Sequence, residues 1–229
     1  MTPGFADHAF VALLAIGLPA LVATNYQRFK ARARAGGAVV RIRQYMRTIL
    51  LQWGLVAALA LSWTMQGREV PLDLPTGREL AWGVGLLLLG LGALGAQLRA
   101  IGRLTPDEYG GLRSQLAGVE DVMPRTDREL AWFRGLCLTA GTCEEVLFRG
   151  FLMWYLAPMV GVWGAVVASS AIFGIGHAYQ GLGGVLKTGV VGLAMAGVYV
   201  AGGTLLWPMV LHAAIDLQGG AVARRVLAH

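Results

Sequence analysis

Apolar residues fill long runs of this chain, and charged residues are largely confined to the gaps between them. Seven runs stand out, at 8–26, 48–65, 79–98, 127–156, 161–177, 182–200 and 205–218. About 20 apolar residues carry an α-helix across a bilayer. Most of the runs reach that length, and the last is shorter. The pattern predicts an all-α, polytopic transmembrane helix bundle of about seven spans. It reads as one integral membrane domain over 1–229, in which 8–98 supplies the N-terminal spans and 128–219 a core of a different character. There is no internal repeat and no second domain.

The gaps carry their own signals. Arg28, Lys30, Arg32, Arg34, Arg41, Arg43 and Arg47 follow the first run with no acid among them. They predict a basic loop, with a short interfacial helix over 39–46. The gap at 67–78 holds Pro71, Pro75 and Gly77 and reads as an irregular connection. The longest polar stretch, 99–128, interleaves both signs of charge. Within it Thr105, Pro106 and Glu108 fit a capping box with proline at the first helical position. The stretch reads as an amphipathic surface helix or as a plain loop. Pro158 predicts the end of the fourth helix, and Gly85, Gly90, Gly92 and Gly95 predict a packed face on the third.

Composition sharpens the membrane reading. The chain is 56% hydrophobic and 14% charged, with a mean hydropathy of +0.59. Soluble domains carry about 25% charged residues. Thirty-three glycines suit close helix approach in lipid. The net charge of +6 sits mostly in short loops, so it reads as a topology signal rather than a nucleic-acid footprint. Placing the basic loop inside puts the N-terminus outside, and seven spans then put Arg224, Arg225 and the C-terminus in the cytoplasm. Cys137 and Cys143 lie six residues apart on one helix and point in different directions, which disfavours a bridge.

The chemistry concentrates where apolar runs are interrupted. Glu144, Glu145 and Arg149 fall within six residues of a spanning segment. Such groups cost roughly 2.5–3.5 kcal/mol each at membrane depth and face a protein interior or a wet cavity. Glu145 and Arg149 are one helical turn apart and can pair. Glu144 has no local cation and must look to other helices. His177 ends one later span, and His212 and Asp216 lie a turn apart on another. Convergence of these groups would supply a base for water, a relay, and donors for an oxyanion. Cys143 has no neighbouring base and reads as a small buried residue. Ser169 and Ser170 read as small interface residues. Phe173 reads first as core, and Tyr179 and Gln180 as residues near any bound peptide.

The three motifs together, EEVLFR, FGIGH and HAAID, resemble the CAAX-protease and bacteriocin-processing (Abi, type II CAAX endopeptidase-like) family of glutamic intramembrane proteases. The resemblance spans about 128–219. It implies that Glu144 activates water with His177, and that His212 and Asp216 build the oxyanion site. It also implies that Glu145 and Arg149 position the motif helix, and that Phe173 packs beside the water. Asp216 departs from the Asn expected of prenyl-protein proteases. An ionised Asp cannot donate to an oxyanion, so Asp216 is either protonated or orients His212. The implied partners are a peptide or protein substrate at the membrane and the bilayer itself, with no nucleic acid. The implied location is a bacterial-type plasma membrane. No cofactor is implied. Zinc held by the same Glu, His and Asp set is the weaker enzymatic alternative, because the chain lacks H-E-x-x-H. A non-catalytic binding, assembly or immunity protein is the alternative outside enzymes.

Overall fold

The computed structural model describes residues 3–68 and 75–227. Among these residues there are helices and turns and no strand. The helices are α1 (Phe5–Ala12), α2 (Leu18–Met65), α3 (Gly77–Gly102), α4 (Gly110–Leu116), α5 (Asp127–Glu145), α6 (Met153–Gly176), α7 (Leu182–Gly202) and α8 (Leu206–Leu227). Two π-helical turns, Leu13–Gly17 and Val146–Leu152, join α1 to α2 and α5 to α6 without a break. Four of the resulting helical stretches are long and apolar enough to cross a membrane: Phe5–Met65, Gly77–Gly102, Asp127–Gly176 and Leu182–Gly202. Large apolar side chains such as Leu50, Leu89 and Trp163 stand on the outside, which suits a hydrocarbon solvent and not water.

Two of those stretches are hairpins. Each turns at a glycine whose φ is positive: Gly37 at 56° and Gly161 at 72°. An L side chain is strained there and glycine is not. After Gly37 the second arm of α2 returns along the first, so that Leu14 packs with Leu59 and Trp63. Beyond the arms, Asp7 pairs with Arg68. After Gly161 the second arm of α6 returns likewise, and Ser169 Oγ donates to the carbonyl of Phe148 at 3.0 Å.

Several boundaries differ from the sequence expectation. The predicted basic loop is helical on both sides of Gly37, and the predicted helix at 39–46 is only the start of the arm that runs to Met65. Helix α6 passes through Pro158 and turns three residues later, at Gly161, where a positive φ is needed. The polar stretch after α3 is neither one amphipathic helix nor a plain loop. It is a 3-10 turn, Pro106–Tyr109, followed by the seven-residue α4. Its predicted cap is present, with the Glu108 carboxylate accepting from the Thr105 N–H at 2.7 Å and from its hydroxyl at 2.9 Å. Those bonds hold the Glu108 carboxyl below its usual range. Of the four glycines expected to pack on α3, Gly90 meets Leu211, while Gly85, Gly92 and Gly95 face open space. The last helix runs on to Leu227. Part of the predicted connection at 67–78 lies outside the described residues.

Candidate active site

Helix α5 is fixed at its start before it reaches the polar motif. Thr126 Oγ1 accepts from the Glu129 N–H at 3.2 Å, and Glu129 accepts in return from the Thr126 N–H at 2.7 Å. This is a reciprocal cap. The other Glu129 oxygen takes Arg41 Nε at 2.5 Å, from the second arm of α2. Four turns further on, α5 comes close to α8. A Cβ at Gly141 would stand 2.7 Å from the Ala213 backbone nitrogen, so only a residue without one permits the approach. Gly141 and Ala213 thus bring the two glutamates to the level of His212.

Glu145 is completely buried, and one of its oxygens serves two partners. Oε1 accepts from Arg149 Nη1 at 2.9 Å and lies 2.8 Å from His212 Nδ1. Arg149, also completely buried, donates through Nη2 to the Gly192 carbonyl on α7 at 3.0 Å. Its guanidinium stacks 4.6 Å from the Phe173 ring centre. The sequence pairing of Glu145 with Arg149 is therefore present, and it ties α5, α7 and α8 together. The π turn begins directly after Glu145. Single π turns inside α-helices recur at functional sites, because the extra residue re-aims side chains.

Glu144 points into a separate space. Its Oε1 accepts from Gln52 Nε2, on the second arm of α2, at 2.6 Å. Its Oε2 lies 3.9 Å from His212 Nε2. The same nitrogen lies 3.6 Å from Asp216 Oδ2. The His212 ring is thus held by Glu145 at one nitrogen and faces two further carboxylates at the other. Phe173 meets the same ring edge-on, with centres 5.9 Å apart. His177 Nδ1 lies 2.8 Å from the Phe173 carbonyl. A carbonyl can only accept, so Nδ1 carries the proton and Nε2 of a neutral ring keeps its lone pair.

Gln52, Glu144, Phe173, His177, His212 and Asp216 line one cavity of about 870 Å³. Apolar side chains such as Leu94, Leu116, Val119 and Val191 line it too. Tyr179, Gln180 and Lys187 line it as well. Gln180 Nε2 donates to the Tyr179 hydroxyl at 3.2 Å, leaving that hydroxyl its own hydrogen to give. Burial pushes the Tyr179 hydroxyl well above its usual value, and the charge on Glu144 adds to the effect.

All the residues singled out from the sequence are brought to this region. Glu145 and Arg149 sit behind the cavity wall, and Glu144, Phe173, His177, His212 and Asp216 sit on it. Gln52 and Lys187 were not singled out, and no motif marks either one. A glutamine inside an otherwise apolar run was the available signal for Gln52. The other nucleophile candidates are occupied or closed off. Cys143 has no exposed surface, and the Ser169 and Ser170 hydroxyls donate to the carbonyls of Phe148 and Val166. Among the described residues no group of three His, Cys, Asp or Glu side chains is arranged to hold a metal ion.

The family model described as type II CAAX prenyl endopeptidase Rce1-like matches residues 126–218, from the α5 cap to just past Asp216. No curated protein and no solved structure matches the chain.

Proposed function

We propose, from the premise that this chain belongs through residues 126–218 to the CAAX protease family, that it is an intramembrane endopeptidase in which Glu144 activates the attacking water. The observation that carries the reading is the shared cavity, in which Glu144 faces His212 across 3.9 Å and which His177 and Asp216 also line.

In this reading the water sits between Glu144 and His177. Glu144 takes its proton as the oxygen attacks the peptide carbonyl carbon. His177 Nε2, left with a lone pair by the Nδ1 bond to Phe173, helps to orient the water. The carbonyl becomes an oxyanion and needs donors fixed in advance. His212 serves as one, acting as the imidazolium, with one N–H on Glu145 and the other on the oxyanion. Asp216 in protonated form, or the Tyr179 hydroxyl, supplies a second. Glu144 then returns its proton to the leaving nitrogen as the C–N bond breaks. Glu145 and Arg149 take no part in the proton transfers. They hold His212 and the motif helix in place.

The hairpins of α2 and α6 count as two crossings each in this reading. With α3, α7 and α8 they make seven, the N-terminus outside and the C-terminus in the cytoplasm. Substrates are membrane-associated peptides or C-terminal tails that reach the cavity from the bilayer. The test is a comparison of membrane-protein termini, by mass spectrometry, in cells carrying the wild type and the Glu144→Ala variant. A terminus generated only by the wild type supports the proposal. Full biological activity of Glu144→Gln would establish a non-catalytic role instead. Activity lost to a chelator and restored by zinc would establish the metalloprotease.

A further inference from the structure

The tip of the α2 hairpin carries seven basic residues, and their partners divide them into two groups. Lys30 and Arg34 pair with Asp121, at 3.8 and 3.0 Å, and Arg41 pairs with Glu129 at 2.5 Å. These three clamp the hairpin to the stretch before α5 and to its first turn. The other four, Arg28, Arg32, Arg43 and Arg47, have no acidic partner among the described residues. A solvated basic face would spread such residues apart. Here three of them converge instead. Arg32 from the first arm and Arg43 and Arg47 from the second line one small pocket, of about 110 Å³, with Phe29, Val40 and Gln44.

The depth of this pocket follows from the chain. Arg47 directly precedes the apolar run that begins at Thr48, and Arg32 follows the end of the first apolar run by six residues. At 1.5 Å per residue that is roughly 9 Å, which is the headgroup layer. The surface beside the pocket is apolar. Val39, Met46 and Leu50 share a helical face with Arg43 and Arg47, and they are 55%, 41% and 71% exposed. Acyl chains can lie along that face while the head stays at the arginines. Three arginines lining one pocket suit the oxygens of a phosphate, since each guanidinium carries a planar fork of N–H donors. A phosphate would also supply the counter-charge that no acid among the described residues provides.

We infer that Arg32, Arg43 and Arg47 form a binding site for the phosphate of an anionic phospholipid, with the acyl chains on Val39, Met46 and Leu50. The site lies on α2 outside the cavity, and it stands whether or not the chain is a protease. It gives the basic run a ligand in addition to its part in setting orientation.

The test is native mass spectrometry of the full chain in neutral detergent, titrated with phosphatidylglycerol, with phosphatidylcholine as the zwitterionic comparison. The wild type retains phosphatidylglycerol in preference to phosphatidylcholine. The triple variant Arg32→Gln, Arg43→Gln, Arg47→Gln binds it about tenfold or more weakly. Arg43→Gln and Arg47→Gln alone each weaken it, should the triple variant not fold. The charge-matched control Arg99→Gln, Arg103→Gln, Arg128→Gln retains wild-type binding. Equal losses in control and pocket variants would overturn the site in favour of general charge. Displacement of the lipid by millimolar inorganic phosphate would overturn the lipid as ligand and make the pocket a free-phosphate site.

Discussion

His212 Nδ1 and Glu145 Oε1 stand 2.8 Å apart, a contact between residues 67 positions apart in the chain. The same oxygen receives Arg149. One buried carboxylate thus joins a structural ion pair to a candidate oxyanion donor. Loss of one member leaves the others buried without compensation. The substitution Arg149→Met is expected to destabilise the fold by about 3–5 kcal/mol, the usual cost of half a buried ion pair. Thermal unfolding in detergent measures it. A wild-type midpoint for this variant would show that the pair contributes nothing to stability.

Gln52 supplies the shortest bond to Glu144, from a helix outside the family-matched stretch. A hydrogen bond to a charged group is worth about 1.5–3 kcal/mol. The variant Gln52→Leu is therefore expected to lower kcat roughly 10- to 100-fold if the bond holds Glu144 in its working position. Gln52→Glu is expected to do at least as much damage, because it sets a second carboxylate against the first. Turnover with a cleaved peptide reporter in proteoliposomes decides the point. Unchanged kcat in Gln52→Leu would make this contact incidental.

Asp216 stands 3.6 Å from His212 Nε2, on the side away from Glu145. An amide at this position donates a hydrogen bond in every protonation state. The proposed oxyanion role therefore predicts that Asp216→Asn keeps wild-type kcat or exceeds it. Asp216→Ala loses about 10²–10³-fold, as removal of one oxyanion donor does. If Asp216→Asn fell as far as Asp216→Ala, charge and not hydrogen-bond donation would be what the reaction requires.

Gly141 has no room for a methyl group against Ala213. The substitution Gly141→Ala pushes α5 from α8 at the level of the site. Overpacking of this kind costs about 1–3 kcal/mol. It also opens the gap between Glu145 and His212, so activity should fall by more than the loss of folded protein explains. Measuring both kcat and unfolding on the same preparation separates the two effects. Activity that falls only in proportion to folded protein would show that the spacing is not critical.

Much of this protein was legible in its sequence, because lipid leaves few choices. Hydrocarbon offers no partners to a backbone, so long apolar runs become helices, and the helical class followed from them. Charged groups in such runs need partners, so Glu144, Glu145, Arg149, His177, His212 and Asp216 could be picked out by residue type and depth alone. The 3.6-residue repeat made the Glu145–Arg149 pair readable as well. Local chemistry did not decide where helices turned. Pro158 was the stronger break signal, yet the chain turns at Gly161, because reversal needed a positive φ and not merely a missing N–H. Nor could the sequence choose partners across the bundle. It offered Asp216 either as a protonated donor or as the group that orients His212, and it gave no sign that the packing of α5 on α8 through Gly141 sets Glu145 against Nδ1. The partner of Gln52 and the arginine pocket at the hairpin tip were hidden for the same reason. Contacts between distant helices depend on which faces meet, and that is fixed by packing in three dimensions and by no repeat along the chain.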